Sequence, residues 1–248
     1  MTDPKPKTQA HIRRFSPWQR FEHALMMTVF TLLCLTGLPQ KFYDARWAAV
    51  VVNAIGGLDR VRFLHRMAGI LFSVATIFHI VLITFLALAR KAGMTMVPTR
   101  QDFRDAHQQI SWYLGLAKEP ARFDRYDYRQ KFEYWGMLIG SLIMVVTGLV
   151  LYVPILFTRL FPGELIPVAR VAHSNEGLMA FLVVITWHIY NAHLSPDVFP
   201  FDTCIFTGRI SRERMHHEHP LELARLTGEP ENEPNADSAV SGKSAPPA

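Results

Sequence analysis

Cysteine is nearly absent from this sequence. Only Cys34 and Cys204 occur in 248 residues, which excludes a disulfide framework and a Cys-rich metal site. There is no CxxCH motif, so covalent c-type haem attachment is excluded as well. Charge is missing in blocks: residues 24–40, 67–89, 134–158 and 177–196 contain no Asp, Glu, Lys or Arg. At 1.5 Å per residue, each run is close to or above the length needed to cross about 30 Å of hydrocarbon as a helix. Four such runs rule out a soluble α/β protein and a disordered or collagen-like chain. The residues before the first run lack a short apolar core followed by a small-residue cleavage site, so 24–40 reads as a retained span and not as a signal peptide. No convincing internal repeat is visible.

The basic residues are distributed with a bias. Lys5, Lys7, Arg13, Arg14 and Arg20 precede the first span, nine Lys or Arg lie between residues 90 and 131, and Arg209, Arg212 and Arg214 follow the fourth span. With four spans these three regions share one side, which the positive-inside rule makes cytoplasmic, together with both termini. The net charge of +5 therefore reports orientation and gives no reason to expect a nucleic-acid partner. The expected fold is an all-α membrane protein, a four-transmembrane-helix bundle of residues 17–226 preceded by a cytoplasmic segment, 1–16. Residues 102–116 read as an amphipathic helix on the cytoplasmic surface, with Phe103, Ile110, Tyr113 and Leu114 as its apolar members. The run 47–58 is too short to span and reads as an interfacial helix. Trp18, Trp135 and Tyr152 read as interfacial anchors. The Pro-, Glu-, Asn- and Ser-rich tail, 227–248, is expected to be disordered.

Of eleven histidines, His23, His65, His79, His173 and His188 fall in or at the ends of the spans. A polar, ionisable ring at membrane depth is costly unless it is paired or coordinated, so each is a candidate functional residue. His65 and His79 are 14 residues apart, and His173 and His188 are 15 apart, about 21 and 22.5 Å along a helix. The second and fourth spans run in the same direction. His65 and His173 therefore share one depth near the periplasmic face, and His79 and His188 share a depth about 20 Å further in. His23, entering from the cytoplasm, reaches that deeper level. Two depths of facing imidazoles suit two stacked haems, each with a histidine from two helices. Gly69 and Gly177 each follow a shallow histidine by four residues, on the same helix face, and leave room for a flat ring system. Zinc needs three or four ligands within a few ångströms and is disfavoured by the separation.

The strings PWQRFEHALMMTVFTLLCLTGL (residues 17–38), RFLHRMAG (62–69), YDYRQKFEYW (126–135), VTGLVLY (146–152) and HSNEGLMAFLVVITWHIYNAH (173–193), with TGRISRERMHHEHP (207–220), resemble the cytochrome b subunits of membrane-bound formate dehydrogenases and nickel–iron hydrogenases. That resemblance implies a di-haem, quinone-reactive membrane anchor. It pairs His65 with His173 around a periplasmic-side b haem, and His23 with His188 around a cytoplasmic-side one. Helix geometry instead favours His79 with His188, so His79 stays an alternative ligand. The resemblance further implies a menaquinone or ubiquinone site at Asp127, Arg129, Gln130 and His188, where Asp127 and Arg129 depart from the small polar residues of the family. Asn191, His193 and residues 196–202 are similar to a branch whose partners are periplasmic multihaem cytochromes c. In that branch His79 and His193 would serve a third haem.

The chain is accordingly expected to be an electron-transfer subunit of an oxidoreductase complex in the bacterial inner membrane. It would carry electrons between a periplasmic iron–sulfur or multihaem cytochrome subunit and the quinone pool. Glu133 reads as an ordinary carboxylate at a helix start. His216, His217 and His219 form a cluster that could bind metal but belongs to a basic C-terminal region of the resembling family, and His11 and His107 read as surface residues. Two other classes remain open. A proton-coupled transporter would use the histidines as a relay but is expected to show broken helices and paired repeats. A purely structural anchor would not need histidines at two matched depths.

Overall fold

The computed structural model describes residues 11–89, 93–196 and 198–228. The chain falls into two compact units, Arg13–Val97 with Arg129–Arg209, and a second built from Met1–Ile12, Pro98–Tyr128 and Ile210–Ala248. Within the range 17–226, read from the sequence as one domain, the chain thus forms parts of both. Most of the expected tail lies outside the described residues.

The first unit is helical. Helix α1 (Pro17–Lys41) starts where Pro17 follows Ser16, whose hydroxyl accepts from the Gln19 amide while the Gln19 side chain accepts from the Ser16 amide. This reciprocal cap satisfies two amides that would otherwise lack partners. Helix α2 (Arg46–Ile55) is the expected short apolar element. It stops at Gly56, whose φ of +102° is readily adopted by glycine. Helix α3 (Leu58–Leu88) follows at once, then α5 (Tyr128–Tyr152), α6 (Pro154–Leu160) and α7 (Leu165–Val183). Pro154 separates α5 from α6, because it has no amide to donate and its ring is tolerated only in a first turn. Beyond α7 the same helix continues with π winding through Val184–His188 and Tyr190–Leu194.

Among the described residues four helices are long and apolar enough to cross a membrane: Pro17–Lys41, Leu58–Leu88, Tyr128–Tyr152 and Leu165–Leu194. All four start before the charge-free runs do, since Arg20, Glu22, Asp59, Arg62, Arg66, Arg129, Lys131, Glu133, Arg170 and Glu176 lie in their N-terminal portions. The third ends six residues early, at Tyr152. Within the unit α1 contacts α2, α3 and α7. Large apolar side chains such as Phe63, Val74, Val81 and Leu149 are more than half exposed, the outward face of a lipid-embedded bundle. Several threonine and serine hydroxyls along the spans donate to the carbonyl one turn back, as Thr28 does to Ala24 and Thr186 to Leu182, which satisfies them in hydrocarbon. The buried Thr76 hydroxyl in α3 has no hydrogen-bond partner among the described residues.

The second unit contains α4 (Arg100–Tyr113), the segment leading to Tyr128, and the short helices α9 (Arg212–Glu218) and α10 (Pro220–Thr227). Its interior is partly polar. Glu222, 1% exposed, accepts from Arg125 at 2.7 Å, and buried His219 makes a 2.7 Å bond to the Asp124 carbonyl. Burial works against the Arg125 charge, yet Tyr126 and Glu222 outweigh it and hold the guanidinium above its ordinary range. In α4 the polar residues Asp102 and Gln109 are inside, capping Thr99 and accepting from the Ala121 amide. Phe103, Ile110, Tyr113 and Leu114 face outward, as an interfacial helix presents its apolar side.

Candidate functional site

The site is built on hydroxyls and carboxylates that fix imidazole rings. In α1 the Thr36 hydroxyl, fully buried, donates to the Leu32 carbonyl at 2.7 Å and lies 2.9 Å from His65 Nδ1. A hydroxyl has one proton. With that proton on Leu32, the Thr36 oxygen accepts from His65, so Nδ1 carries the hydrogen and Nε2 is left with a free lone pair. Thr147 in α5 repeats the device: it donates to the Ile143 carbonyl at 2.6 Å and lies 3.0 Å from His173 Nδ1. Glycines make room for both rings. A Cβ on Gly37 would fall 3.0 Å from His65 Cε1, and one on Gly148 would fall 3.2 Å from His173 Cε1. Thr36–Gly37 and Thr147–Gly148 are therefore a repeated pair to which the spacing of the histidines does not point. The signal was present as Thr-Gly-Leu in the first and third spans. Gly69 and Gly177, singled out earlier, do not touch the rings: a Cβ at 69 meets nothing and one at 177 meets only Met144.

The structure brings His65 to His173, with ring centroids 6.3 Å apart and planes at 83°. It also brings His23 to His188, at 6.1 Å and 35°. His188 Nδ1 is 2.5 Å from Glu133 Oε1, so Glu133 is not the plain helix-start carboxylate the sequence suggested. It orients a ring, leaving Nε2 free. His188 reaches this position through the π winding of Val184–His188. π winding turns less per residue than an α-helix, so uniform α geometry does not give the face on which His188 lies.

His79 has no such freedom. Its Nδ1 lies 3.3 Å from Glu22 Oε1 and its Nε2 3.1 Å from the Tyr134 hydroxyl, so both ring nitrogens have protein partners. His193 stacks on Phe201 at 4.3 Å and accepts from the Asp202 amide through Nδ1. Of the expected quinone residues, Asp127 is buried just before α5, Arg129 is half-buried in its first turn and Gln130 is exposed there. In the basic C-terminal segment His219 is committed to Asp124, and among the described residues no group of three or more His, Cys, Asp or Glu is arranged to hold a metal ion.

The two imidazole pairs fit a haem iron. An imidazole nitrogen would bind a first-row metal at about 2 Å with its ring centroid about 1.1 Å behind it, so two rings holding one iron between them would have centroids roughly 6.2 Å apart. Both observed separations agree, and the bond to Nδ1 at three of the four rings leaves the tautomer that ligation needs.

A four-span bundle with imidazoles paired between its helices is the architecture of an integral-membrane electron carrier. The sequence profile of the prokaryotic cytochrome b561 family matches residues 14–196, and the chain belongs to that family. It is thus a multi-pass membrane cytochrome, and b-type haem is the cofactor of its family. A formate dehydrogenase cytochrome b556 subunit of Haemophilus influenzae is 25% identical over 181 residues, covering 73% of this chain and 70% of the relative. The nitrate-inducible formate dehydrogenase cytochrome b556(Fdn) subunit of Escherichia coli K12 is 21% identical, with 80% and 83% covered. The cytochrome b556(fdo) subunit of the same strain is 24% identical, with 75% and 81% covered.

Proposed function

We propose that this protein is a two-haem b-type cytochrome subunit that passes electrons between a redox partner and the membrane quinone pool. One iron is held by His65 and His173, the other by His23 and His188. The observation that carries this reading is the pair of imidazole separations, 6.3 and 6.1 Å, with three of the rings held through Nδ1. His79 and His193 are left out of ligation because their nitrogens or ring faces are engaged elsewhere, which favours two haems over three. The bound haems supply reversible one-electron transfer. The protein's part is to hold four rings, keep Nε2 available, and exclude water from the interior of the bundle.

The partner, by likeness to the formate dehydrogenase subunits, is a periplasmic iron–sulfur or multihaem cytochrome subunit docked on the side of His65 and His173. The chain would lie in the bacterial inner membrane with both termini in the cytoplasm, as its basic residues suggest. Quinone reduction needs two electrons and two protons. Asp127, Arg129 and Gln130 are the residues proposed to hydrogen-bond the oxygens of menaquinone or ubiquinone, with His188, whose Nδ1 is bonded to Glu133 and whose Nε2 is given to iron, bordering the site through its ring.

The test is to reduce the purified full chain with dithionite, remove the excess, and add a water-soluble quinone analogue. Reoxidation of the b-type absorbance in the wild type, slowed at least tenfold in Gln130→Ala and Asp127→Ala with haem content unchanged, is the expected result. Equal rates in all three would remove the quinone assignment while leaving the haem assignment standing.

A further inference from the structure

One cation in the first unit has a donor with nowhere to go. Arg20, one turn before His23 in α1, donates from a terminal nitrogen to the Phe206 carbonyl. Its Nε is buried and has no hydrogen-bond partner among the described residues. A buried N–H without an acceptor is costly, and a guanidinium presents Nε and a terminal nitrogen as a planar fork suited to a carboxylate.

The surroundings hold this side chain in place. Helix α8 (Cys204–Thr207) ends at Gly208, which has a φ of +78°. A Cβ on Gly208 would fall 2.8 Å from the Phe15 carbonyl oxygen and 3.2 Å from Arg20 Cδ. Glycine there admits the Arg20 stem, while the Arg14 and Phe15 amides both donate to the Gly208 carbonyl and tie the turn to the start of α1. Arg20 also lines a cavity of about 430 Å³, together with His23, Phe21, Ala24, Ile205 and Phe206. This volume is in the range of small-molecule sites, and its wall is apolar except for Arg20 and His23.

We infer that this cavity takes the carboxylate-bearing edge of the haem held by His23 and His188, with Arg20 binding a propionate. The inference rests on the ligand assignment above. His23 is shared by the cavity wall and the imidazole pair, so a flat group between the two rings has an edge within reach of the cavity. Arg20 lies on the side of His23 nearer the end of the span, where the polar margin of an amphiphilic group belongs. A phospholipid phosphate and a quinone carbonyl are the competing acceptors.

The test is a potentiometric titration of the two b-type components in the full-length holoprotein, comparing wild type, Arg20→Gln, Arg20→Lys and His23→Ala. Loss of a cation beside a propionate makes an added electron less welcome. Arg20→Gln is expected to lower the electron affinity of one component about tenfold, which for one electron is 59 mV, and to leave the other unchanged. Arg20→Lys retains the charge and is expected to recover most of the shift, which also covers the case in which the glutamine variant is poorly folded. The shifted component must be the one lost in His23→Ala. Unchanged potentials at full haem content would overturn the inference. So would an effect confined to the Michaelis constant for quinone, or to co-purified phospholipid. If His23→Ala keeps both components, the ligand assignment itself has failed, a separate outcome.

Discussion

The most informative residues at the site are the ones beside the histidines. Thr36 and Thr147 each spend their proton on a backbone carbonyl and so accept from an imidazole. Thr36→Val and Thr147→Val keep the shape and remove the acceptor. Each should cost about 1–3 kcal/mol by leaving a buried Nδ1–H unpaired, and each should lower haem occupancy at the His65/His173 pair alone. Thermal unfolding and the ratio of the two b-type components check this. The glycines separate in the same way. Gly37→Ala and Gly148→Ala push a methyl against an imidazole that cannot move freely, with a penalty of about 1–3 kcal/mol typical of overpacking, whereas Gly69→Ala in the protein without haem should be close to neutral because nothing lies near. Comparing melting temperatures of haem-free preparations distinguishes the two groups. None of this was legible from histidine spacing, which gives depth but says nothing about which neighbour receives a ring proton.

At the scale of the element, the spans were legible because a bilayer tolerates few charges at its centre, and the charge-free runs marked all four helices. Their ends were not. Helix starts in this chain carry Arg20, Glu22, Asp59 and Arg129, charges a helix keeps at its margins, so counting apolar residues alone trimmed the elements. The face presented by His188 was the other illegible feature, because it depends on the π winding of Val184–His188 and no sequence period announces a π turn. Deleting one residue between 184 and 187 should restore α winding and rotate His188 away from His23 and Glu133. The expected result is a protein that keeps the His65/His173 component and loses the other, measured as a fall in haem per chain from two to one. Retention of both would mean that the π turn has no bearing on the site.

Taken whole, the molecule shows an approximate repetition that its sequence hid. A Thr-Gly pair in α1 serves His65 at the start of α3, and a Thr-Gly pair in α5 serves His173 in α7, so each half of the bundle supplies one ring to the same pair. The strings are too short to stand out by identity, and their relation becomes visible only once the rings are located. The second unit has its own economy. Its interior combines the Arg125–Glu222 ion pair with the buried apolar side chains of Ile210, Met215 and Leu223, and with Arg125 about a quarter exposed, Glu222→Gln should destabilise that unit by about 2 kcal/mol, less than the ~3–5 of a fully buried pair. Faster proteolytic cleavage within 98–128, with the b-type spectrum intact, is the expected signature.

The central claim is that four particular histidines hold two irons. It is tested most directly by quantifying haem per chain and recording the low-spin electron paramagnetic resonance of the oxidised protein in the wild type and in His23→Ala, His65→Ala, His173→Ala, His188→Ala and His79→Ala. The account predicts two haems and two signals. The signal with the wider spread should belong to the near-perpendicular His65/His173 rings and vanish in either of those variants, the other should vanish in His23→Ala and His188→Ala, and both should survive in His79→Ala. A protein that keeps both signals without His23 and loses one without His79 would contradict it.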